Sequence, residues 1–228
     1  ADSAAPFGFP DWSRAETIAK SVRPPVIPAR QSVVAAVAEG QDARPAIQSA
    51  VETLHADGGG RVVLGAGVWL SDGPIHLRSG IELHLQEGAT LRFLGNADKY
   101  LPAVLTRWEG TDVWSYSPMI YAHRAHDVAV TGPGTIDGQG EANFLPWRKD
   151  QGPIQRLLRD FGRDGVPVAE RVFTGERRLR PHFVQFHQCE RVLIEGVTLR
   201  DSPFWMVHPV YCQDVTVRGI RCISLHIN

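Results

Sequence analysis

The chain has 228 residues, is 43% hydrophobic and 21% charged, and carries a formal net charge of −1. That length suits one large domain, and an all-β fold of this size can form a single unit. The balanced charge leaves no electrostatic footprint for nucleic acid, and no apolar run reaches the roughly 18 residues that cross a bilayer.

The opening stretch ADSAAPFGFP lacks the basic region and apolar core of an intact signal peptide. A start at Ala1 suits a mature exported protein, and an exported location is the expectation. Residues 1–41 read as an N-terminal extension. A helix is expected over 42–57, in DARPAIQSAVETLHADGGG. Asp42 can cap it, Pro45 is tolerated in its first turn, and the glycines at 58–60 end it. Ile47, Ala50, Val51 and Leu54 share one face at helical spacing, so the helix has an apolar side to lay on a core.

Repetition dominates the rest. CERVLIEGVTL (189–199) aligns with CQDVTVRGIRC (212–222) at an offset of 23 residues: Cys189 falls on Cys212, Val192 on Val215, Ile194 on Val217 and Gly196 on Gly219. VVLGAGVWL (62–70) aligns with LHLQEGATL (83–91) at an offset of 21, and HDVAVTGPGTIDG (126–138) repeats the pattern. Each unit is a short alternating apolar strand, a glycine turn and another strand. The period is too short for a propeller blade, and the leucine-rich spacing is absent. A parallel β-helix remains, one unit per coil with roughly 4.8 Å between coils, running from 58 to 228. It needs a cover on its open end, and the helix over 42–57 supplies one.

The stretch from about 141 to 180 breaks the repeat. It carries Arg148, Lys149, Arg156, Arg159, Arg171, Arg177, Arg178 and Arg180, and reads as a long basic insertion in loop conformation. It is either a solvated surface loop or a basic rim over a cleft for an anionic ligand. Cys189, Cys212 and Cys222 show no metal-ligand spacing and read as buried thiols. No nucleophile motif and no acid–base pair of carboxylates stands out; Asp137, Glu141, Asp201 and Asp214 sit at turns.

The segments GGGRVVLGAGVWL, GPIHLRSGIELHLQEGATLRF, GTIDGQG and RPHFVQFHQCERVLIEGVTLRDSPFWMVHPVYCQDVTVRGI resemble family 28 glycoside hydrolases, the polygalacturonases, in order from about residue 42 to 228. The resemblance implies an all-β, right-handed parallel β-helix with an N-terminal capping helix. It implies hydrolysis of α-galacturonosyl linkages in a pectic oligo- or polysaccharide, with inversion and with no metal or other cofactor. In such a single displacement one carboxylic acid protonates the glycosidic oxygen while a carboxylate about 6.5–9.5 Å away activates water.

The family's aspartates, in an Asn-Thr-Asp or Asn-Asn-Asp motif and an Asp-Asp pair one coil later, are not in this sequence. Asn228 stands where that first motif begins. No catalytic residue is therefore expected in this chain, and the missing C-terminal half of the same protein is its expected partner. If the next coil resembles the family's, its first aspartate stacks on a column formed by His182 and Trp205, each seven residues before a repeat cysteine. Gln185 and His208 form the neighbouring column. Trp205 is then a sugar-stacking platform or a packed strand-start residue, and His208 faces the cleft if Val207 faces the core. Arg180 is placed to pair with a galacturonate carboxylate. Trp108, with Trp114 and Tyr116 on the loop TRWEGTDVWSYS, walls the end of the cleft or packs, and His226 lines it by adjacency. Two rivals remain open: a non-catalytic carbohydrate-binding β-helix, and a pectate-lyase-like enzyme with a calcium site.

Overall fold

The computed structural model describes residues 12–225, so the expectations that fall on His226 and Asn228 lie outside the described residues. The chain opens with helix α1 (Ser13–Ser21), strand β1 (Gln31–Val33) and helix α2 (Arg44–Ala56). The coils follow. The first holds β2 (Gly60–Leu64), β3 (Gly67–Ser71) and β4 (Ile75–His76). The second holds β5 (Ile81–Leu85) and β6 (Ala89–Phe93), then a hairpin of β7 (Val104–Trp108) and β8 (Thr111–Ser115), then β9 (Ile120–His123). The third has β10 (His126–Thr131) and β11 (Thr135–Asp137), an excursion with helices α3 (Gly140–Asn143) and α4 (Arg148–Arg163) and strand β12 (Val172–Phe173), then β13 (Val184–His187). The fourth is β14 (Glu190–Glu195), β15 (Thr198–Arg200) and β16 (Val207–Val210), and a fifth begins with β17 (Gln213–Arg218) and β18 (Arg221–Ile223).

Equivalent strands of successive coils pair in parallel to give three long sheets: β1-β2-β5-β10-β14-β17, β3-β6-β11-β15-β18 and β4-β9-β13-β16. This is a parallel β-helix, as the repeats require. Register is kept from coil to coil, so inward residues form unbroken columns. Val62, Leu83, Val130, Ile194 and Val217 make one. Trp69, Leu91, Ile136 and Leu199 make a second, continued in register by Cys222, and Ile75, Ile120, Val184 and Val207 a third. Each fully buried aliphatic member contributes about 1.5–3 kcal/mol. Of the three cysteines expected to be buried, Cys189 is, Cys212 is half-buried and Cys222, in the last described coil, is exposed. The 23-residue offset puts Cys189 beside Cys212, with Gln213 N–H bonded to the Cys189 carbonyl at 3.0 Å. The turns stack as tightly as the strands. Gly132 has φ of +103°, and a Cβ there would come within 2.1 Å of the Leu85 carbonyl oxygen.

Helix α2 covers the first coil through Ile47, Val51 and Leu54. Its start differs from expectation: Ala43 is the boundary residue, and Asp42 stands one position earlier. The Asp42 carboxylate still accepts the Arg44 N–H at 2.9 Å, and the Asp72 N–H at 2.9 Å, so one side chain ties the helix start to the coil beneath it. The basic insertion also differs. It is not a loop, because α4 runs for 16 residues through Pro153. Proline in a helix interior costs about 3 kcal/mol. Burial of Leu158, with Ile154, Leu157 and Phe161 packed alongside, offsets that cost in a second, smaller core with Trp108, Val113, Phe173, Leu179 and Phe204.

Before β1 the N-terminal extension crosses the first sheet as a strap. Arg23 binds Asp214 at 2.6 Å and Glu190 at 2.8 Å, the Val26 N–H donates to Asp127 at 2.8 Å, and the Arg61 N–H donates to the Arg30 carbonyl at 2.8 Å. Asp127, Arg191 and Asp214 occupy one column, each with φ near +55°. The Arg191 guanidinium grips both Asp127 oxygens at 2.7 Å and holds that carboxyl far below the usual carboxylate range, helped by the Val26 N–H and by His126. A depressed carboxylate stabilises the fold above its unfolded pKa, 3.8, and that stability is lost as pH falls further. Asp127→Asn keeps a residue that tolerates the left-handed backbone and removes only the charge. It is expected to cost about 1–3 kcal/mol at pH 7 in urea unfolding, with the difference from wild type shrinking below pH 3.

Candidate functional site

Both excursions leave the solenoid at the same corner, between the second and third strands of their coils; the hairpin folds over the outer face of the third sheet, and α4 packs on the hairpin. The outward side chains of that sheet run in rows. His76, Tyr121, Gln185 and His208 form one row, and His123 and His187 lie in the next. None of these is a carboxylate. Strand β7 lies across them: Tyr121 Oη donates to the Leu105 carbonyl at 2.6 Å, Thr106 Oγ1 to Gln185 Oε1 at 2.7 Å, and His182 Nε2 to the Arg107 carbonyl at 3.0 Å. The hairpin therefore roofs the lower coils, and through Asp112, which accepts from Tyr211 Oη at 3.0 Å, it also reaches past β16, where His208 is buried and Trp205 is left open.

The wall is fixed to the sheet by its own small core. Trp108 stacks on Phe204 at 4.6 Å and 7°, and its Nε1 donates to the Arg180 carbonyl at 3.1 Å. Trp108 is 2% exposed, so it does not line a cleft; the hairpin buries it, and its role is to anchor the wall. Tyr116 is buried and Trp114 half-buried. Trp205, next to Phe204 and stacked on it at 5.4 Å, is 41% exposed and presents an open ring.

The expected columns are present. His182 and Trp205 sit one coil apart with ring centroids 5.7 Å apart, and Gln185 pairs in register with His208. Val207 packs against the core and His208 points outward, as the alternation requires. The column members differ in access. His182 is 1% exposed and Arg180 3%, so both are buried; His182 is closed in under the Arg107 carbonyl rather than lining the cleft as expected. Arg180 Nε donates to Gln151 Oε1 at 3.1 Å and Nη1 to the Pro203 carbonyl at 3.1 Å. It lines a cavity of about 330 Å³ beside Trp205, shared with Glu109, Arg148 and Gln155. A larger cavity of about 850 Å³ lies under the N-terminal strap on the first sheet, remote from the wall and from Trp205. The volume there arises where the strap stands off the sheet, and we place the site at the smaller cavity, where the Phe204 and Trp205 rings meet the side chains of Arg148 and Arg180.

A hydrogen-bond relay fixes the histidine tautomers. Thr106 donates to Gln185, and the Gln185 amide donates to His208 Nδ1 at 2.9 Å, so a neutral His208 carries its proton on Nε2. His182 donates from Nε2 to a carbonyl, and its buried Nδ1 has no partner among the described residues. His187, whose ring nitrogens likewise lack partners, lies between His123 and Tyr211. Burial lowers all three pKa values: His208 and His187 to about 4, and His182 well below 6.5 with the His208 ring adding to the effect. Sequence reasoning passed over Glu109, Gln151 and Thr106, which ordinary polar positions in an irregular stretch do not distinguish. Among the described residues no group of three His, Cys, Asp or Glu side chains converges as a metal-ligand set.

These features define a cleft-bearing parallel β-helix. Residues 74–225 match the family model for glycosyl hydrolases family 28, and the chain belongs to that family. It is 30% identical over 190 residues to a probable polygalacturonase of Vitis vinifera, covering 78% of this chain and 33% of that protein. It is 37% identical over 109 residues to an endo-polygalacturonase of Pectobacterium carotovorum, covering 43% of this chain and 26% of that one. The crystal structure of a hyperthermoactive exopolygalacturonase from Thermotoga maritima superposes with a TM-score of 0.89 at 39% identity, over 93% of this chain and 51% of that one. The chain thus spans about a third of the first relative and half of the last.

The histidines give the site a pH signature. An unfolded histidine ionises near 6.5, so the folded chain, holding them neutral, is fully stabilised above that value and loses stability as pH falls from 6.5 towards 4. Imidazole NMR should find His208 neutral at pH 6, protonated on Nε2, with a midpoint near 4. A midpoint above 6 would mean that the ring is open to water.

Proposed function

We propose that the protein containing this chain hydrolyses α-galacturonosyl linkages of a pectic polysaccharide from a chain end, with inversion. The likeness to the Thermotoga exopolygalacturonase over almost the whole of this chain carries the reading. The wall supports the exo mode: with β7 across the lower rows, a polysaccharide lying along the third sheet meets a barrier beside Trp205. A terminal sugar fits there, and a chain interior does not.

This chain supplies binding and the wall. The general acid and base come from coils that carry the family's aspartates, which this sequence lacks. The acid protonates the leaving oxygen, and the base, about 6.5–9.5 Å away, takes a proton from water attacking the opposite face. Trp205 offers its face to the terminal ring, and the Nε2–H of His208 is a donor for a sugar oxygen at the column's edge. In this reading residues 1–228 alone do not turn over polygalacturonate, since general acid–base assistance contributes about 10²–10⁴-fold and both partners are absent.

The whole protein should release short saturated products from polygalacturonate, with the new anomeric centre inverted by proton NMR, while residues 1–228 alone release none. Unsaturated products formed in the presence of calcium would replace the hydrolase by a lyase. Binding without turnover by the whole protein would leave a carbohydrate-binding solenoid. Trp205→Ala in the whole protein should lower kcat/KM about 10- to 100-fold with an unchanged melting temperature, because loss of one stacking face is worth roughly 1–3 kcal/mol and the ring is exposed.

A further inference from the structure

The cavity of about 850 Å³ on the first sheet lies within the size range of small-molecule sites. Its roof is the strap, which is pinned above through Arg23 and the Val26 N–H and below through the Arg30 carbonyl. Pro28, between the pins, has a fixed φ and no N–H to offer the sheet, so the span stays extended above it. The floor has two halves. Arg61, Glu82, Ala129 and Leu193 share one outward row, and His84, Thr131 and Glu195 share the next. Ala129 and Leu193, with Ile27 and Pro28 of the strap, make an apolar half.

The polar half is organised around Glu82, which is 6% exposed. Its Oε2 accepts from Arg61 Nε at 2.9 Å, and its Oε1 accepts the Thr131 hydroxyl. Thr131 Oγ1, its proton given to Glu82, then accepts from His84 Nδ1 at 2.8 Å. A neutral His84 therefore carries its proton on Nδ1, and its Nε2 lone pair has no partner among the described residues. Burial and the Arg61 guanidinium lower the His84 pKa, so the ring is neutral at pH 7. Arg61 uses only Nε on Glu82, which leaves its Nη groups as donors. The charges on the floor pair off, Arg61 with Glu82 and Arg218 with Glu195 at 2.6 Å, and Arg30 lines the cavity from the strap.

We infer that this cavity is a second ligand site, taking a neutral pyranose whose hydroxyls donate to His84 Nε2 and accept from Arg61. A hydroxyl both donates and accepts, so it satisfies an imidazole nitrogen and a guanidinium together. A carboxylate has no proton for Nε2, and an ammonium meets the Arg61 donors. The C–H face of the ring covers Ala129 and Leu193 without stranding a polar group. The site lies on a different sheet from Trp205. It rests on the hydrolase reading only for the expectation that the hydroxyls belong to a sugar.

Imidazole ¹⁵N NMR of the whole protein at pH 7, titrated with D-galactose and separately with D-galacturonate, tests this. Galactose should shift His84 Nε2 saturably, and galacturonate should need a higher concentration for the same shift. Leu193→Trp fills the apolar half, and Arg61→Lys keeps the ion pair to Glu82 without the fork of donors. With melting temperatures unchanged, each should raise the galactose concentration at half-shift about five-fold or more. No saturable shift with galactose, or two variants that both titrate as wild type, overturns the proposal. A tighter response to galacturonate makes this an anion site and overturns it as well. Hydrolysis of polygalacturonate is scored separately. A protein that responds at His84 without hydrolysing loses the enzyme reading and keeps this site, and a hydrolase with a silent His84 does the reverse.

Discussion

Parallel register between coils is the constraint from which the rest of the structure follows. Each step along the axis is roughly 4.8 Å, and backbone hydrogen bonds link a strand to its equivalent in the next coil. A slip of one residue would turn every inward side chain outward. The columns of Val62 to Val217 and Ile75 to Val207 hold the register by burial. The strap holds it from outside, with charge: Arg23 spans Asp214 and Glu190 in two different coils, and Arg191 reaches down to Asp127. Like residues therefore pile up, and any departure from the repeat is aligned with departures in neighbouring coils.

That alignment builds the wall. The hairpin and the α4 excursion leave two successive coils at one corner, so they meet each other. Their contact is apolar where Trp108, Leu158 and Phe173 pack, and polar where Glu109 meets Gln155 and Arg159. The next coil makes the same corner with a short turn that contributes Phe204 to the small core and leaves Trp205 outside it. The boundary between wall and open face thus falls between two adjacent residues of one turn.

The coils were legible in the sequence because glycine turns and period-two strands recur at 21–23 residues, and the column of His182 and Trp205 follows from that offset. The excursions were not, for a physical reason. RKDQGPIQRLLRDFGR contains Gly152 and Pro153, two residues that oppose helix, and its helical character depends on packing against a hairpin distant in sequence. Trp108 was misplaced on the same account. From TRWEGTDVWSYS alone, nothing distinguishes a tryptophan that walls a cleft from one that a partner helix and Phe204 enclose.

The electrostatics of the cleft then follow from what each surface is made of. The floor is a set of side chains with imidazoles that burial keeps neutral, so it carries no fixed charge from His182, His187 or His208 near neutral pH. On the hairpin, Glu109 is engaged in joining it to α4, and Asp112 takes Arg107 at 3.1 Å and the Tyr211 hydroxyl at 3.0 Å.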